Sequence, residues 1–163
     1  MNYIIRKMEQ EDWLQVKEIY RQGIETNMGT FQNSIPEYEE WDNAHLQEGR
    51  CVAVTNDKIL GWIALTPVSS RCVYAGVAEI SVYIHNDYKR MGIGYKLLNK
   101  LVDESEKLGI WTLQSGIFQE NLASIELHKK CGFREVGYRE KIGKDRFGIW
   151  RNTVLMEKRN SLE

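Results

Sequence analysis

DYKRMGIGYKLLNKLVDESEKLG (Asp87–Gly109) sets two glycines, Gly92 and Gly94, directly ahead of a long amphipathic run. Leu97, Leu98, Leu101, Val102 and Leu108 recur on one helical face, with Lys100, Asp103, Glu104 and Lys107 on another. Glycine is costly inside a helix, and an ordinary helix start takes a serine or aspartate cap. A helix that begins at this pair exposes amides with no intrahelical partner, and its dipole favours an anion such as phosphate. Missing β-carbons let ligand oxygens approach, and Lys89, Arg90 and Lys96 add positive charge. The stretch is shorter than a dinucleotide fingerprint and lacks the Gly-Lys-Ser/Thr of a P-loop. On this loop alone, a phosphate cradle and a glycine-containing strand-to-helix turn with solvated basic residues are both open.

Working outward, GVAEISVYI (Gly76–Ile84) is apolar on both faces, as suits a strand inside a sheet. RCVAVT and ILGWIALTPV flank Asn56-Asp57-Lys58, which predicts a hairpin. NYIIRK (Asn2–Lys7) reads as a first strand, and Trp13, Val16, Ile19, Tyr20 and Ile24 follow at helical spacing with Asp12 as cap. EYEEWDNAHLQE reads as a second helix. Downstream, WTLQSGI is a strand and NLASIELHKKCGF a helix closed by Gly132. FREVGYREK and FGIWRNTVLMEKR predict two antiparallel strands. The order implies a mixed α/β layout with crossovers in the second half. We expect one domain over residues 1–159 and a loose tail, NSLE, at 160–163.

The 163 residues suffice for one domain with a sizeable core. A net charge of −1 gives no reason to expect nucleic acid or an anionic membrane as partner. Cys51, Cys72 and Cys131 have no metal-ligand spacing, so no metal is expected, and their odd number fits a reduced compartment. The N-terminus turns charged at Arg6 with no apolar core of a signal peptide, and no apolar run reaches membrane-span length. A cytoplasmic protein is expected.

KRMGIGYKLL after AEISVYI, followed by NLASIELHKKCGF, resembles the GNAT family of acetyl-CoA-dependent N-acetyltransferases. That family's loop is (Gln/Arg)-x-x-Gly-x-(Gly/Ala), which Lys89–Gly94 matches except at Lys89. A second motif, Asn-x-x-(Ser/Ala)-x-x-Leu-(Tyr/His)-x-x-x-Gly-Phe, matches Asn121, Ser124, Leu127, His128, Gly132 and Phe133. The resemblance implies a mixed, mostly antiparallel twisted sheet of about seven strands flanked by about four helices. It implies acetyl-CoA as co-substrate, held at Arg90, Met91, Gly92, Ile93, Gly94, Tyr95 and Lys96. Val82, Tyr83 and Ile84 would pair with its amide-bearing arm like an added strand. Asn121 would contact that arm while capping its helix.

A narrower resemblance, to phosphinothricin and methionine sulfoximine acetyltransferases, rests on ETNMGTF with EEW downstream, RCVYAGVAEISVYI, His128 and FGIWRNTVLMEK. It implies a small amino acid or analogue as acceptor and a homodimer. Those enzymes often carry Tyr-Arg where this chain has Tyr74-Ala75, and Trp-x-Asp where it has Trp150-Arg151-Asn152. Arg71 remains to pair with an acceptor carboxylate. Trp41, Phe31, Tyr74 and Trp150 are candidates for the acceptor-side wall, with plain core packing as the alternative.

Moving an acetyl group from a thioester to an amine needs a base for the amine, donors for the developing oxyanion, a proton for the thiolate and two aligned substrates. Glu79, mid-strand among apolar neighbours, is the leading base; the alternative is a structural pairing with Arg71 or another cation. His128 stands where the family often has a tyrosine that protonates the thiolate, and an imidazole can do this or help deprotonate the amine. A packed helix histidine is the alternative. Ser124 and the cysteines read as packing residues, since no base-paired nucleophile is legible. Acetylation of another primary amine, or non-catalytic acyl-CoA binding, stays open, although a pure binding module has no need of a carboxylate at the strand centre.

Overall fold

A computed structural model describes residues 1–161. The strands are β1 (Ile4–Lys7), β2 (Cys51–Thr55), β3 (Lys58–Pro67), β4 (Val77–Ile84), β5 (Thr112–Phe118), β6 (Arg134–Lys144) and β7 (Trp150–Arg159). The helices are α1 (Trp13–Glu25), α2 (Tyr38–Ala44), α3 (Ile93–Lys107) and α4 (Leu122–Lys130). One seven-stranded sheet runs in the order β1-β2-β3-β4-β5-β7-β6. Every pairing is antiparallel except β4 with β5, which matches the expected mixed, mostly antiparallel fold.

That parallel pair shapes everything else. β4 and β5 are in register only at Val77↔Thr112, Ala78↔Leu113 and Glu79↔Gln114. Beyond Glu79, β4 stays on β3 as far as Gly61↔Ile84, and β5 stays on β7 as far as Phe118↔Thr153. The sheet therefore opens into a V whose vertex is Glu79–Gln114. Along one arm, the edge of β4 from Ile80 to Ile84 has no strand partner on its open side.

Side-chain alternation assigns the two faces. Ile80, Val82 and Ile84 join Leu97, Leu98, Leu101 and Leu113 in the core beneath α3 and α4. Tyr83 packs with the other core, where Trp13, Val16 and Ile19 of α1 meet Trp41 and Trp62. Glu79 and Ser81 share a face with Tyr83, opposite Thr66, Ala64 and Trp62 of β3. Glu79 thus points to the α1–α2 side, while the glycine-led helix α3 covers the other.

Several expectations need correction. Asp12 is buried and does not cap α1 with its side chain: it pairs with Arg6 at 2.8 and 2.9 Å and accepts the Glu9 N–H at 2.8 Å. Two charge-assisted bonds to a guanidinium outweigh one capping bond. Trp41 is core, 1% exposed, between Trp13, Trp62 and the stacked ring of His45, so it forms no part of an acceptor wall. Asn160, expected to begin a loose tail, is instead held in the fold. It is buried and donates to Ser105 Oγ at 2.9 Å and Ile110 O at 2.8 Å; Leu162 and Glu163 lie outside the described residues. Gly132 does close α4, with φ 90 and a Phe133 N–H to His128 O bond of 3.0 Å. Among the described residues, no helix is long and apolar enough to cross a membrane.

Candidate active site

The V opens a cleft of about 1460 Å³ that passes between its arms and is lined from both faces of the sheet. On the α3 side, Gly92 is the N-cap with φ 80 and supplies no side-chain cap. The first α3 bond runs from Lys96 N–H to Gly92 O at 3.2 Å, so the amides of Ile93, Gly94 and Tyr95 precede any intrahelical partner. Lys89, Arg90 and Lys130 line the cleft nearby.

The two glycines serve different ends. A β-carbon on Gly92 would meet nothing within 4 Å, leaving open space before the amides. On Gly94 it would sit 3.1 Å from Leu127 Cδ2 and 3.9 Å from Ile84. Gly92 supplies the left-handed turn, and Gly94 lets α3 approach α4. Gly94 therefore has a packing reason of its own beside the expected one of admitting ligand oxygens.

On the α1–α2 side, Glu79 is half-buried and accepts a hydrogen bond from Gln114 Nε2 at 3.2 Å across the vertex. The 26–31 loop after α1 lies over both arms. It meets β4 at Tyr83, whose ring lies 3.4 Å from where a β-carbon on Gly29 would sit; burial pushes that phenol's pKa up, and the neighbouring Thr30 pulls against it. It meets β5 where Phe31 packs edge-on against Phe118, ring centres 4.7 Å apart. Gly23 of α1 has to be glycine, since a β-carbon would come within 2.4 Å of the Tyr83 ring.

Asn121 joins the two sides. Its Oδ1 accepts the Ser124 N–H at 3.3 Å, the expected cap, and its Nδ2 donates to Met28 O at 3.2 Å. His128 is 1% exposed and lines the cleft. Its Nδ1 lies 2.7 Å from Ser124 O, an atom that can only accept, so Nδ1 carries the proton. Nε2 is then a buried acceptor with no partner among the described residues. Burial lowers the pKa, keeping the imidazole neutral, while the Ser124 bond works the other way.

Of the sequence-predicted residues, Glu79, Val82, Tyr83, Ile84, Arg90, Gly92, Ile93, Gly94, Tyr95, Asn121, His128 and Phe31 all line this cleft. Besides the buried Trp41, five lie outside its lining. Met91 is exposed, and Lys96 turns its ammonium over the Tyr3 ring at 5.1 Å. Arg71 and Tyr74 flank each other at the 3-10 turn Cys72–Tyr74, exposed, with the guanidinium 5.7 Å over the ring. Trp150 is 52% exposed and carries Lys144 over its ring, also off the cleft. Sequence reasoning missed Gln114, which strand register brings to Glu79, and Thr30, Phe118 and Glu120, which line the same cleft. Among the described residues, no three His, Cys, Asp or Glu side chains gather as a metal ligand set.

Known proteins share this arrangement. Residues 8–133 match the family model for the acetyltransferase (GNAT) family. The chain is 27% identical over 158 residues to L-amino acid N-acyltransferase MnaT of Escherichia coli, spanning 94% of this chain and 91% of that one. It is 30% identical over 167 residues to phosphinothricin N-acetyltransferase of Alcaligenes faecalis, spanning 94% and 81%. Among solved structures, the yncA protein of Salmonella typhimurium with its cofactor acetyl-CoA superposes with a TM-score of 0.91 at 26% identity, over 100% of this chain and 96% of that one. With its V-shaped sheet, its glycine-led helix and a family match over most of its length, the chain belongs to the acetyltransferase (GNAT) family.

Proposed function

We propose that this enzyme transfers the acetyl group of acetyl-CoA directly to the α-amino group of a small amino acid or analogue of the phosphinothricin and methionine sulfoximine type. The observation that carries this is the V itself, with the Glu79 carboxylate at its vertex and a free strand edge beside it. The donor fits the residues present. Open space at Gly92 in front of three free amides suits a pyrophosphate, with Arg90 and Lys89 supplying charge. Met91 enters through its backbone, and Lys96 only through its more distant charge. The unpartnered edge at Val82–Ile84 suits an amide-bearing arm. Acetyl-CoA supplies an activated acetyl group, so that the amine nitrogen forms the new C–N bond as the C–S bond breaks.

Glu79 takes the amine's proton, directly or through water, held in orientation by Gln114. His128 offers only the lone pair of Nε2, so it serves the amine as an acceptor; a neutral imidazole with Nδ1–H tied to Ser124 has no proton to give a thiolate. Asn121 links the donor side to the acceptor loop, and Phe31 with Phe118 walls the acceptor. Arg71 and Tyr74 stand off the cleft of their own subunit, so a part in acceptor binding requires approach from a second subunit. A homodimer is supported by the apolar side chains that the 134–159 hairpin exposes, among them Tyr138, Ile142, Phe147 and Ile149. A single catalytic domain through Arg159, anchored by Asn160, and a cytoplasmic setting, supported by three free cysteines, complete the proposal.

One observation favours a second acceptor class. The α1–α2 side of the cleft contributes the carboxylates Glu79 and Glu120, while the lining cations Lys89, Arg90 and Lys130 come, with one further carboxylate, Glu126, from the segments around α3 and α4. That suits a cationic amine without a carboxylate. Free-thiol release from acetyl-CoA across an amine panel separates the two. Turnover of methionine sulfoximine or phosphinothricin is expected. Turnover confined to amines lacking a carboxylate would overturn the amino-acid assignment and leave the family assignment standing.

A further inference from the structure

Behind the acceptor wall lies a buried ion pair that none of the chemistry above uses. Arg151 of β7 is 8% exposed and Asp145, in the turn before it, 7%. Arg151 Nη1 donates to Asp145 Oδ2 at 3.2 Å and to the backbone oxygen of Asn27 at 2.8 Å. Nη2 donates to Glu120 Oε2 at 3.3 Å and reaches Met28 Sδ at 3.5 Å. The guanidinium carbon lies over the Phe118 ring, 4.0 Å from its centre. Asp145 is fully engaged on its side, accepting from Asn27 Nδ2 at 3.0 Å and from the Phe147 and Ile149 amides at 2.9 and 3.1 Å.

Register explains why these contacts converge. Phe118 pairs with Thr153, and residues two apart on a strand share a face, so Arg151 comes up on the same face as Phe118 and Glu79. None of Arg151, Asp145 and Asn27 lines the cleft, but Met28, Thr30, Phe31, Phe118 and Glu120 do. Apart from the Phe147 and Ile149 amides of its own turn, the pair's contacts therefore end on a residue of the acceptor wall or its immediate neighbour. Asn27 also holds a left-handed backbone, φ 54, which a loop keeps when something over-determines it. A buried ion pair is a poor source of net stability compared with apolar packing. Its value here is geometric.

We infer that Arg151, braced by Asp145, is a positioning residue that fixes the 26–31 loop and Phe118 against the acceptor, and so sets acceptor affinity without touching the donor. The consequence for catalysis rests on the transfer proposed above; the effect on the loop does not. Two measurements keep them apart. In the free protein, Arg151→Met is expected to raise amide hydrogen exchange across residues 26–31 at least tenfold while the 90–96 loop stays as in wild type. With L-methionine sulfoximine and saturating acetyl-CoA, the same variant should raise the acceptor KM about tenfold and change kcat less than threefold, with coenzyme A affinity by calorimetry unaltered. Arg151→Lys keeps the charge but loses the two-pronged bridge, and should fall between. Asn27→Gly tolerates the positive φ and removes only the amide to Asp145, so it provides a folded variant with a smaller rise in KM if Arg151→Met fails to fold. Unchanged exchange at 26–31 in a folded Arg151 variant, or loss of kcat at unchanged KM, would overturn the inference. Absence of any acetylation by wild type would defeat the proposed reaction, and the exchange result would still decide the loop's dependence on Arg151.

Discussion

On the proposed reading, the donor's pyrophosphate meets one stretch of chain, Lys89–Tyr95, through backbone amides, whereas the acceptor end draws on the 26–31 loop, β4, β5 and β7 and works through side chains. The donor end is set by local conformation: one glycine with φ 80 and a helix start behind it. The acceptor end is set by register, since Glu79 meets Gln114 and Phe118 meets Thr153 only when the strands pair as they do. Substitutions should accordingly separate into those that change donor binding alone and those that change the acceptor alone.

The largest separation is expected at Glu79. Glu79→Gln should lower kcat/KM for the acceptor by ~10²-fold, the scale of losing a general base, while coenzyme A affinity by calorimetry stays within error. The defect should shrink at high pH, where the amine is already neutral. A matching fall in coenzyme A affinity would break the separation.

The glycine pair sharpens it from the other side. Gly92→Val forces a β-branched residue into the left-handed region and fills the space before the amides, so coenzyme A affinity should drop by about tenfold, with the acceptor KM unchanged. Gly94→Val should act differently, costing about 1–3 kcal/mol of stability through overpacking against Leu127, with coenzyme A affinity retained in the folded fraction. Equal effects of the two substitutions on donor binding would return Gly94 to the cradle.

Acid should affect the acceptor end in a defined window. Burial pushes the Asp145 carboxyl up, but the hydrogen bonds from Asn27, Ile149, Phe147 and Arg151 outweigh it and hold the pKa at about 2. A depressed carboxyl stabilises the fold above its unfolded value of about 3.9 and loses that contribution as pH falls toward the folded one. The Tm difference between wild type and Asp145→Asn should therefore be full at neutral pH and narrow between about pH 4 and pH 2. A difference that holds constant across that range would mean that Asp145 is not ionised in the fold. This is the smallest effect of the set, read in a few degrees.

The same contrast explains what the sequence disclosed. Gly92, the Asn121–Phe133 helix and the apolar strand around Glu79 are local patterns, and each lies where the spacing predicted. Thr30, Gln114, Phe118 and Arg151 carry no such pattern. Their roles depend on contacts between residues far apart in the chain, such as the bond from Arg151 to Asn27 O. Asp12 sits where a cap is expected, but its side chain is claimed by Arg6 of β1. Trp41 looks like a wall residue in a loop-and-helix stretch, yet three aromatic neighbours bury it. Arg71 and Tyr74 match a family loop in sequence, while the 3-10 turn carries them away from the cleft of their own chain.

The central claim is that the opening between β4 and β5 is where donor and acceptor meet, and a crystal structure of the enzyme with acetyl-CoA tests it most directly. The account predicts pyrophosphate oxygens on the amides of Ile93, Gly94 and Tyr95, the amide-bearing arm along Val82–Ile84, and the thioester in the opening beside Glu79. A donor bound with its pyrophosphate away from that loop, or with its thioester on the side of the sheet remote from Glu79, would contradict it.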